Sequence, residues 1–306
     1  MLKKLSLYTL AFLGAIMLLS SCEKEYESIE NIDETRLQQY LKNSNLPYEK
    51  DSSGFYYRVD TAGVGNKFTD RDTVLYNLTV KSLGGGTEYY NSTVKSANLA
   101  TLVGYSGVLV IPVVGTNPLQ ISMPAIRTAI LALKPGGTAK VLLPSYLAFG
   151  KNGLDDIKVP SNEPIELTIV SYPEKSQAAL DNRLIQEFLA RNSLTADKDS
   201  ASGVYYNIAA VGTGTDPINR SSTIKAKYTG RLLNGTVFDS SADGTFKFTL
   251  GELEVNGWKV ILPKVRKGGK VRMLIPSGQA YGTSATGLIL SNSVLDFDVE
   301  VDSVGN

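Results

Sequence analysis

No histidine occurs in this chain and Cys22 is its only cysteine, so its chemistry must do without an imidazole and without a second thiol. Ser-His-Asp triads, Cys-His dyads and histidine-ligated metal sites are thereby excluded. The residues that remain gather in the last third of the chain. Lys227-Tyr228-Thr229-Gly230, Asn234-Gly235, Val237-Phe238-Asp239-Ser240-Ser241, Phe246-Lys247-Phe248-Thr249-Leu250-Gly251, Gly257-Trp258, Gly268-Gly269-Lys270 and Ala280-Tyr281-Gly282 follow one another at short intervals. Aromatic rings beside a few hydroxyl and carboxyl groups suit an apolar pocket and non-covalent catalysis, which needs no nucleophile, metal or redox cofactor.

The elements that must position these residues are written twice. Asp33-Glu34-Thr35-Arg36-Leu37 is echoed by Asp181-Asn182-Arg183-Leu184, with apolar residues at helical spacing in both. Ser53-Gly54-Phe55-Tyr56-Tyr57 matches Ser202-Gly203-Val204-Tyr205-Tyr206, a strand-like aromatic and β-branched run. Ala125 to Gly150 matches Gly257 to Gly282 without a gap, through Lys134-Pro135-Gly136-Gly137 against Arg266-Lys267-Gly268-Gly269 and Ala148-Phe149-Gly150 against Ala280-Tyr281-Gly282. Each copy holds several short β-rich runs around one short helix, which predicts an α+β module: a bent antiparallel sheet wrapped on that helix.

The spacing between copies shrinks from 149 residues at the Tyr-Tyr pairs to 132 at the Gly-Gly pairs, so copy one carries an insertion, placed at 96–116. That apolar, β-branched stretch is expected to extend the sheet of its own domain, the other reading being a cover for the site or a surface for a partner chain. The predicted organisation is a signal segment at 1–21, a tether at 22–32, a first domain at 33–172, a helical linker at 173–199 and a second domain at 200–306.

Lys and Arg number 31 against 30 for Asp and Glu. That balance leaves no electrostatic footprint for nucleic acid. A single cysteine excludes a disulfide framework within the chain, so stability must come from packed cores. The 42% hydrophobic content is enough for two folded domains.

Over Ser202 to Val301, the order of motifs resembles the FKBP family of peptidyl-prolyl isomerases. The resemblance implies a five- or six-stranded antiparallel sheet wrapped on one helix, with an aromatic pocket between them. It assigns catalysis to Tyr228, Phe238, Asp239, Trp258 and Tyr281, and substrate binding to Phe246, Val255, Ile289 and Phe297. Trp258 would be the pocket floor, and Asp239 would hold neighbouring tyrosines rather than transfer protons. Implied partners are proline-containing polypeptides and an FK506-like macrolide; no cofactor or metal is implied. Two departures stand out: Val255-Asn256-Gly257 is one residue shorter than the family's run before Gly-Trp, and Gly287-Leu288-Ile289-Leu290-Ser291-Asn292 is a shortened loop without the family's prolines. Copy one keeps Tyr76, but Tyr90-Asn91 replaces the Phe-Asp pair, and Ile126, Phe149 and Leu167 replace the tryptophan, tyrosine and final phenylalanine.

The physics of such a site stands apart from the family. An X-Pro bond turns slowly because its partial double-bond character sets a barrier of about 18–20 kcal/mol. An apolar pocket disfavours the charge-separated amide form, and donors such as the Tyr281 hydroxyl favour the twisted state, which is differential binding of the transition state.

Lys3 and Lys4 precede a mainly apolar run, Leu5 to Leu19, too short for a comfortable span and followed at once by acidic residues. Leu19-Ser20-Ser21-Cys22 resembles the bacterial lipobox, as in lipoproteins of Bacteroidetes-like bacteria, which implies acyl chains on Cys22 as the membrane anchor. The expected protein is an isomerase assisting the folding of exported or envelope proteins, lipid-anchored in the cell envelope at the outer membrane. The alternative is a non-catalytic FKBP-like binding module in an envelope assembly for gliding or secretion.

Overall fold

The computed structural model describes residues 27–93, 98–111 and 118–305. The signal segment, Cys22 and parts of the insertion, 96–97 and 112–116, lie outside the described residues.

The repeat becomes two sheets of the same plan. In the first domain, β1 (Glu49–Lys50), β2 (Tyr56–Thr61), β3 (Thr73–Ser82), β4 (Glu88–Asn91), β5 (Leu99–Leu102), β6 (Val108–Ile111), β7 (Leu119–Ser122), β8 (Thr138–Leu143) and β9 (Ile165–Ser171) follow in chain order. The main sheet runs β1-β2-β8-β9-β3-β4, with β5 also on β3, while β6 and β7 form a separate two-stranded sheet. In the second domain, β10 (Asp197–Lys198), β11 (Tyr205–Ala210), β12 (Thr223–Leu232), β13 (Val237–Thr249), β14 (Lys270–Ile275) and β15 (Leu295–Gly305) form a sheet in the order β10-β11-β14-β15-β12-β13. Every pairing is antiparallel.

Helices cover both faces. Helix α1 (Ile29–Ser44) starts inside the segment read as a tether; Ser28 caps it by accepting from the Asn31 N–H. Leu37 of α1 packs on Tyr56 and Leu142 on the outer face of the first sheet. Helix α2 (Pro124–Ala132) fills the inner face with Ile126, Ala129 and Ile130. Helix α3 (Gln177–Arg191), within the segment read as a linker, sets Ile185 and Phe188 against Tyr205 and Leu274 on the second sheet. It therefore stands to the second domain as α1 does to the first. Helix α4 (Asn256–Ile261) lies on the inner face of the second sheet, with Trp258 and Ile261 in the core.

One repeated hydrogen-bond motif seats the outer helices. Asp33 Oδ2 accepts from the Ser145 N–H and hydroxyl at 2.7 and 2.6 Å, and Asp181 Oδ2 accepts from the Ser277 N–H and hydroxyl at 2.8 and 2.7 Å. All four residues are buried. Two hydrogen bonds to one buried carboxylate oxygen offset its loss of water, so each aspartate fixes its helix to the loop that starts at the serine.

The insertion lies later in the chain than 96–116. Leu99 pairs with Tyr76 and Leu102 with Thr73, as Phe246 pairs with Ala226 and Thr249 with Thr223, so β5 is the counterpart of the distal half of β13. The surplus over the second domain lies mostly between β5 and α2, where β6 and β7 form a hairpin that sends Leu109 and Ile111 into the first core. Both described pieces thus pack on their own domain.

Candidate functional site

Strict alternation along β12 turns Ile224, Ala226, Tyr228, Gly230 and Leu232 inward and leaves Lys225, Lys227, Thr229 and Arg231 outward. Gly230 is where a side chain would be fatal to the site. A Cβ there would stand 2.6 Å from the Phe238 ring and 2.7 Å from that of Phe297, so its absence lets both rings close over the strand. Gly257 acts alike on α4: a Cβ would meet Ile275 at 2.7 Å, and without it the short helix drops onto β14 and presents Trp258 to the sheet.

Around these glycines an aromatic cluster forms. The Trp258 ring meets those of Tyr228 (5.6 Å, 82°), Phe297 (5.3 Å, 86°) and Phe248 (5.6 Å, 77°) edge-on, and Phe238 meets Phe297 likewise (5.5 Å, 85°). Such T-shaped contacts contribute about 0.5–1.5 kcal/mol each beyond burial. The cluster encloses an open cavity of about 290 Å³, lined by Tyr228, Phe238, Asp239, Phe246, Val255, Trp258, Tyr281 and Phe297, together with Glu252, Leu253 and Glu254.

Of the nine residues singled out in the sequence, eight line this cavity. Ile289 does not: it is buried in the core of the second domain, where Thr286 and Ile289 exchange backbone hydrogen bonds that fold the loop back on itself. Glu252, Leu253 and Glu254 were missed. They form the turn that leads into Val255, and two exposed acids in a turn read as ordinary surface.

The polar groups of the cavity are few. The Tyr228 hydroxyl donates to Asp239 Oδ2 at 2.5 Å, while Asp239 Oδ1 accepts from the Ser240 N–H at 2.8 Å. Burial, and then the Asp239 hydrogen bond and charge, push the Tyr228 phenol up from its ordinary range, so it remains a donor. Burial also pushes Tyr281 up, helped by the negative charges of Glu254 and Asp239. Neither the Tyr281 hydroxyl nor the Val255 N–H makes a hydrogen bond among the described residues, which leaves two donors for a ligand. Three carboxylates and no lysine or arginine line the cavity. The Trp258 Nε1–H is buried without a partner among the described residues and serves as part of the floor.

A larger groove, about 700 Å³, lies on the outer face of the same sheet, beside the end of α3. Its charges are paired with one another, Lys270 with Glu300 at 3.2 Å, Arg272 with Asp296 at 2.7 Å and Lys227 with Asp302 at 3.7 Å. They offer little to a ligand.

Strand register corrects the reading of the first domain. Val80 pairs with Leu167 as Gly230 pairs with Phe297, which makes Leu78, and not Tyr76, the counterpart of Tyr228. Val80 also faces Tyr90 as Gly230 faces Asp239, so Tyr89-Tyr90, and not Tyr90-Asn91, stand where Phe238-Asp239 do. Leu78, Ile126 and Leu167 are all fully buried.

Residues 214–302 match the profile described as FKBP-type peptidyl-prolyl cis-trans isomerase. That match covers most of the second domain, which is of the FKBP type. The chain is 42% identical over 107 residues to a probable FKBP-type peptidyl-prolyl cis-trans isomerase of Haemophilus influenzae, covering 34% of this chain and 44% of the relative. The chain is also 37% identical over 163 residues to the isomerase FkpA of Aeromonas hydrophila, covering 49% of this chain and 60% of the relative. Among solved structures, FkpA from Escherichia coli is similar at 31% identity, with a TM-score of 0.37, covering 42% of this chain and 60% of that one. The chain thus spans about half the length of the curated relatives it matches.

Proposed function

We propose that the FKBP domain catalyses cis-trans isomerisation of X-Pro bonds in exported or envelope polypeptides, on a chain held to the membrane by lipid at Cys22. The observation that carries the catalytic reading is the cavity itself: an apolar aromatic floor with two unused donors, Tyr281 O–H and Val255 N–H, at its edge.

The prolyl ring enters over Trp258, between Phe238, Phe246 and Phe297. Water leaves the amide, and the charge-separated resonance form loses its solvation, which lowers the barrier to twisting. The two donors hold the flanking peptide groups, so that binding energy is expressed in the twisted state. Asp239 holds the Tyr228 ring in place and transfers no proton. Glu252 and Glu254 set a negative rim, which favours substrates with Lys or Arg beside the proline. An FK506-like macrolide fills the same aromatic cavity and competes with peptide.

The anchoring rests on the lipobox resemblance at Leu19 to Cys22, and on the need for more than one acyl chain for stable attachment. A Cys22→Ser variant expressed in a bacterial host is expected to leave the detergent phase for the aqueous one; a variant that still partitions with detergent refutes the anchor.

For catalysis, exchange between cis and trans forms of a proline tetrapeptide is measured by NMR while Trp258, the only tryptophan, reports binding by fluorescence. Catalysed exchange that Phe238→Ala abolishes supports the isomerase. Binding without accelerated exchange turns the FKBP domain into a binding module. One observation favours that second reading: Ile289 closes into the core, so the shortened loop adds no apolar contact at the cavity.

A further inference from the structure

Tyr281 sits on the loop between Ser277 and Asn292, and that loop is tied to residues outside the FKBP sheet. The Asn292 side chain donates from Nδ2 to the backbone carbonyl of Asn98, the residue before β5 in the first domain, at 3.0 Å. Asn98 and Gln177 exchange two side-chain hydrogen bonds, both 2.9 Å. Gln177, the first residue of α3, also donates to Asp181 Oδ1 at 2.7 Å, and Asp181 Oδ2 holds Ser277. Within the loop, the Gly282 N–H donates to the Ser277 carbonyl at 2.8 Å and the Asn292 N–H to the Gly282 carbonyl at 2.7 Å. The chain of bonds closes on itself: Asn98, Gln177, Asp181, Ser277, Gly282, Asn292 and back to Asn98.

Packing does little of this work. Beside the ring, the two domains leave a cavity of about 200 Å³, with Tyr76 and Val110 of the first domain on one side and Thr283 and Ser291 of the loop on the other. On this side the loop is tied to the first domain by hydrogen bonds rather than by close packing. The ring members Asn98, Asp181, Ser277 and Asn292 are buried, where an unmade bond is costly. In the first domain the Asn162 N–H closes the matching loop on the Gly150 carbonyl at 3.0 Å, and Asp33 holds Ser145, yet Asp33 Oδ1 is buried without a partner among the described residues. The residue four before Asp33 is Ile29, where Asp181 has Gln177. The outward arm of the ring thus belongs to the FKBP domain alone.

We propose that the first domain and α3 act as a clamp on the active-site loop, with Asn98, Gln177 and Asn292 as positioning residues that hold Tyr281 at the edge of the cavity. This rests on the isomerase reading for its consequence in turnover and on geometry alone for its consequence in loop order. A degenerate copy retained beside a working domain then has a task that needs no pocket of its own.

The test uses the mature full-length chain with Gln177→Leu and, separately, Asn292→Gly. Asn292 has a left-handed backbone, φ 61°, so glycine keeps the loop conformation and removes only the side-chain donor. Hydrogen-deuterium exchange is followed in 278–293 and in the strands β12 and β15, together with kcat and KM for a proline peptide. The expected result is exchange about five-fold faster in 278–293, roughly what loss of one hydrogen bond amounts to, with the strands unchanged, and a several-fold drop in kcat/KM. Unchanged loop exchange in Asn292→Gly overturns the clamp, whatever Gln177→Leu does to folding. Faster exchange with wild-type kcat/KM overturns the positioning of Tyr281. Should the wild-type chain lack turnover, the isomerase reading fails and loop exchange alone decides the clamp.

Discussion

The two domains of this chain fold alike and present different interiors. Both wrap an antiparallel sheet on a short helix, and both seat an outer helix by an aspartate on a Pro-Ser loop. At the matching inner positions the FKBP domain has Tyr228, Trp258 and Phe297, where the first domain has Leu78, Ile126 and Leu167. Rings standing edge-on around Trp258 enclose a cavity, while aliphatic side chains of the first domain are wholly buried. The difference teaches that strand alternation and helix seating carry the fold, and that a few rings and hydroxyls decide whether it holds a site.

The comparison breaks most sharply at the cavity wall. Phe238→Ala with Asp239→Ala is expected to reduce isomerisation to the uncatalysed rate in a peptide assay, with the aromatic wall and the Tyr228 anchor both lost. Tyr89→Ala, at the matching position of the first domain, is expected to leave the peptide rate unchanged within two-fold. Forcing the first domain towards the second is expected to fail: Ile126→Trp places a large ring in a closed core and destabilises by about 1–3 kcal/mol in denaturant titration, with no gain in activity.

Tyr281→Phe makes the FKBP domain match Phe149 of the first. Losing a single donor of about 1 kcal/mol lowers kcat/KM roughly five-fold while the melting temperature holds. The alkaline limb of the pH profile sharpens the same point. Tyr228 and Tyr281 are both pushed above the ordinary tyrosine value of 10.0, and the proton-bearing form is the donor, so kcat/KM should stay level from neutrality to pH 10 and fall only above it. The smallest effect is expected at the rim: a peptide with Arg beside proline is turned over about two- to three-fold faster than one with Glu at low ionic strength. The preference vanishes at high salt.

Much of the architecture was legible in the sequence because repetition is a long-range signal: matching motifs in register predicted two copies of one α+β module, and the structure has two such sheets. Register was less legible. Tyr76 resembles Tyr228 by residue type, yet the strand pairings set Leu78 opposite it, because the eye aligns side chains while the sheet aligns hydrogen bonds. The Tyr89-Tyr90 shift has the same origin: Tyr90 pairs with Val80 as Asp239 pairs with Gly230, and both edge strands skip the residue before, Tyr89 and Phe238. Insertion length was plain from spacing, but its position was not, as β5 continues the common edge strand after a break. Ile289 resembles a loop tip by its apolar neighbours and is instead drawn into the core by a backbone bridge. The ring through Asn98 and Asn292 joins residues 194 apart, and polar residues in loops carry no local mark of such a partner.

Catalysis by the aromatic cavity of the FKBP domain is tested most directly by the refolding of a proline-limited protein substrate, with the mature chain at catalytic concentration beside its Phe238→Ala, Asp239→Ala variant. The account predicts that the wild-type chain accelerates the slow phase and that the variant returns it to the rate in buffer. Equal acceleration by both proteins, or none by either, would contradict it.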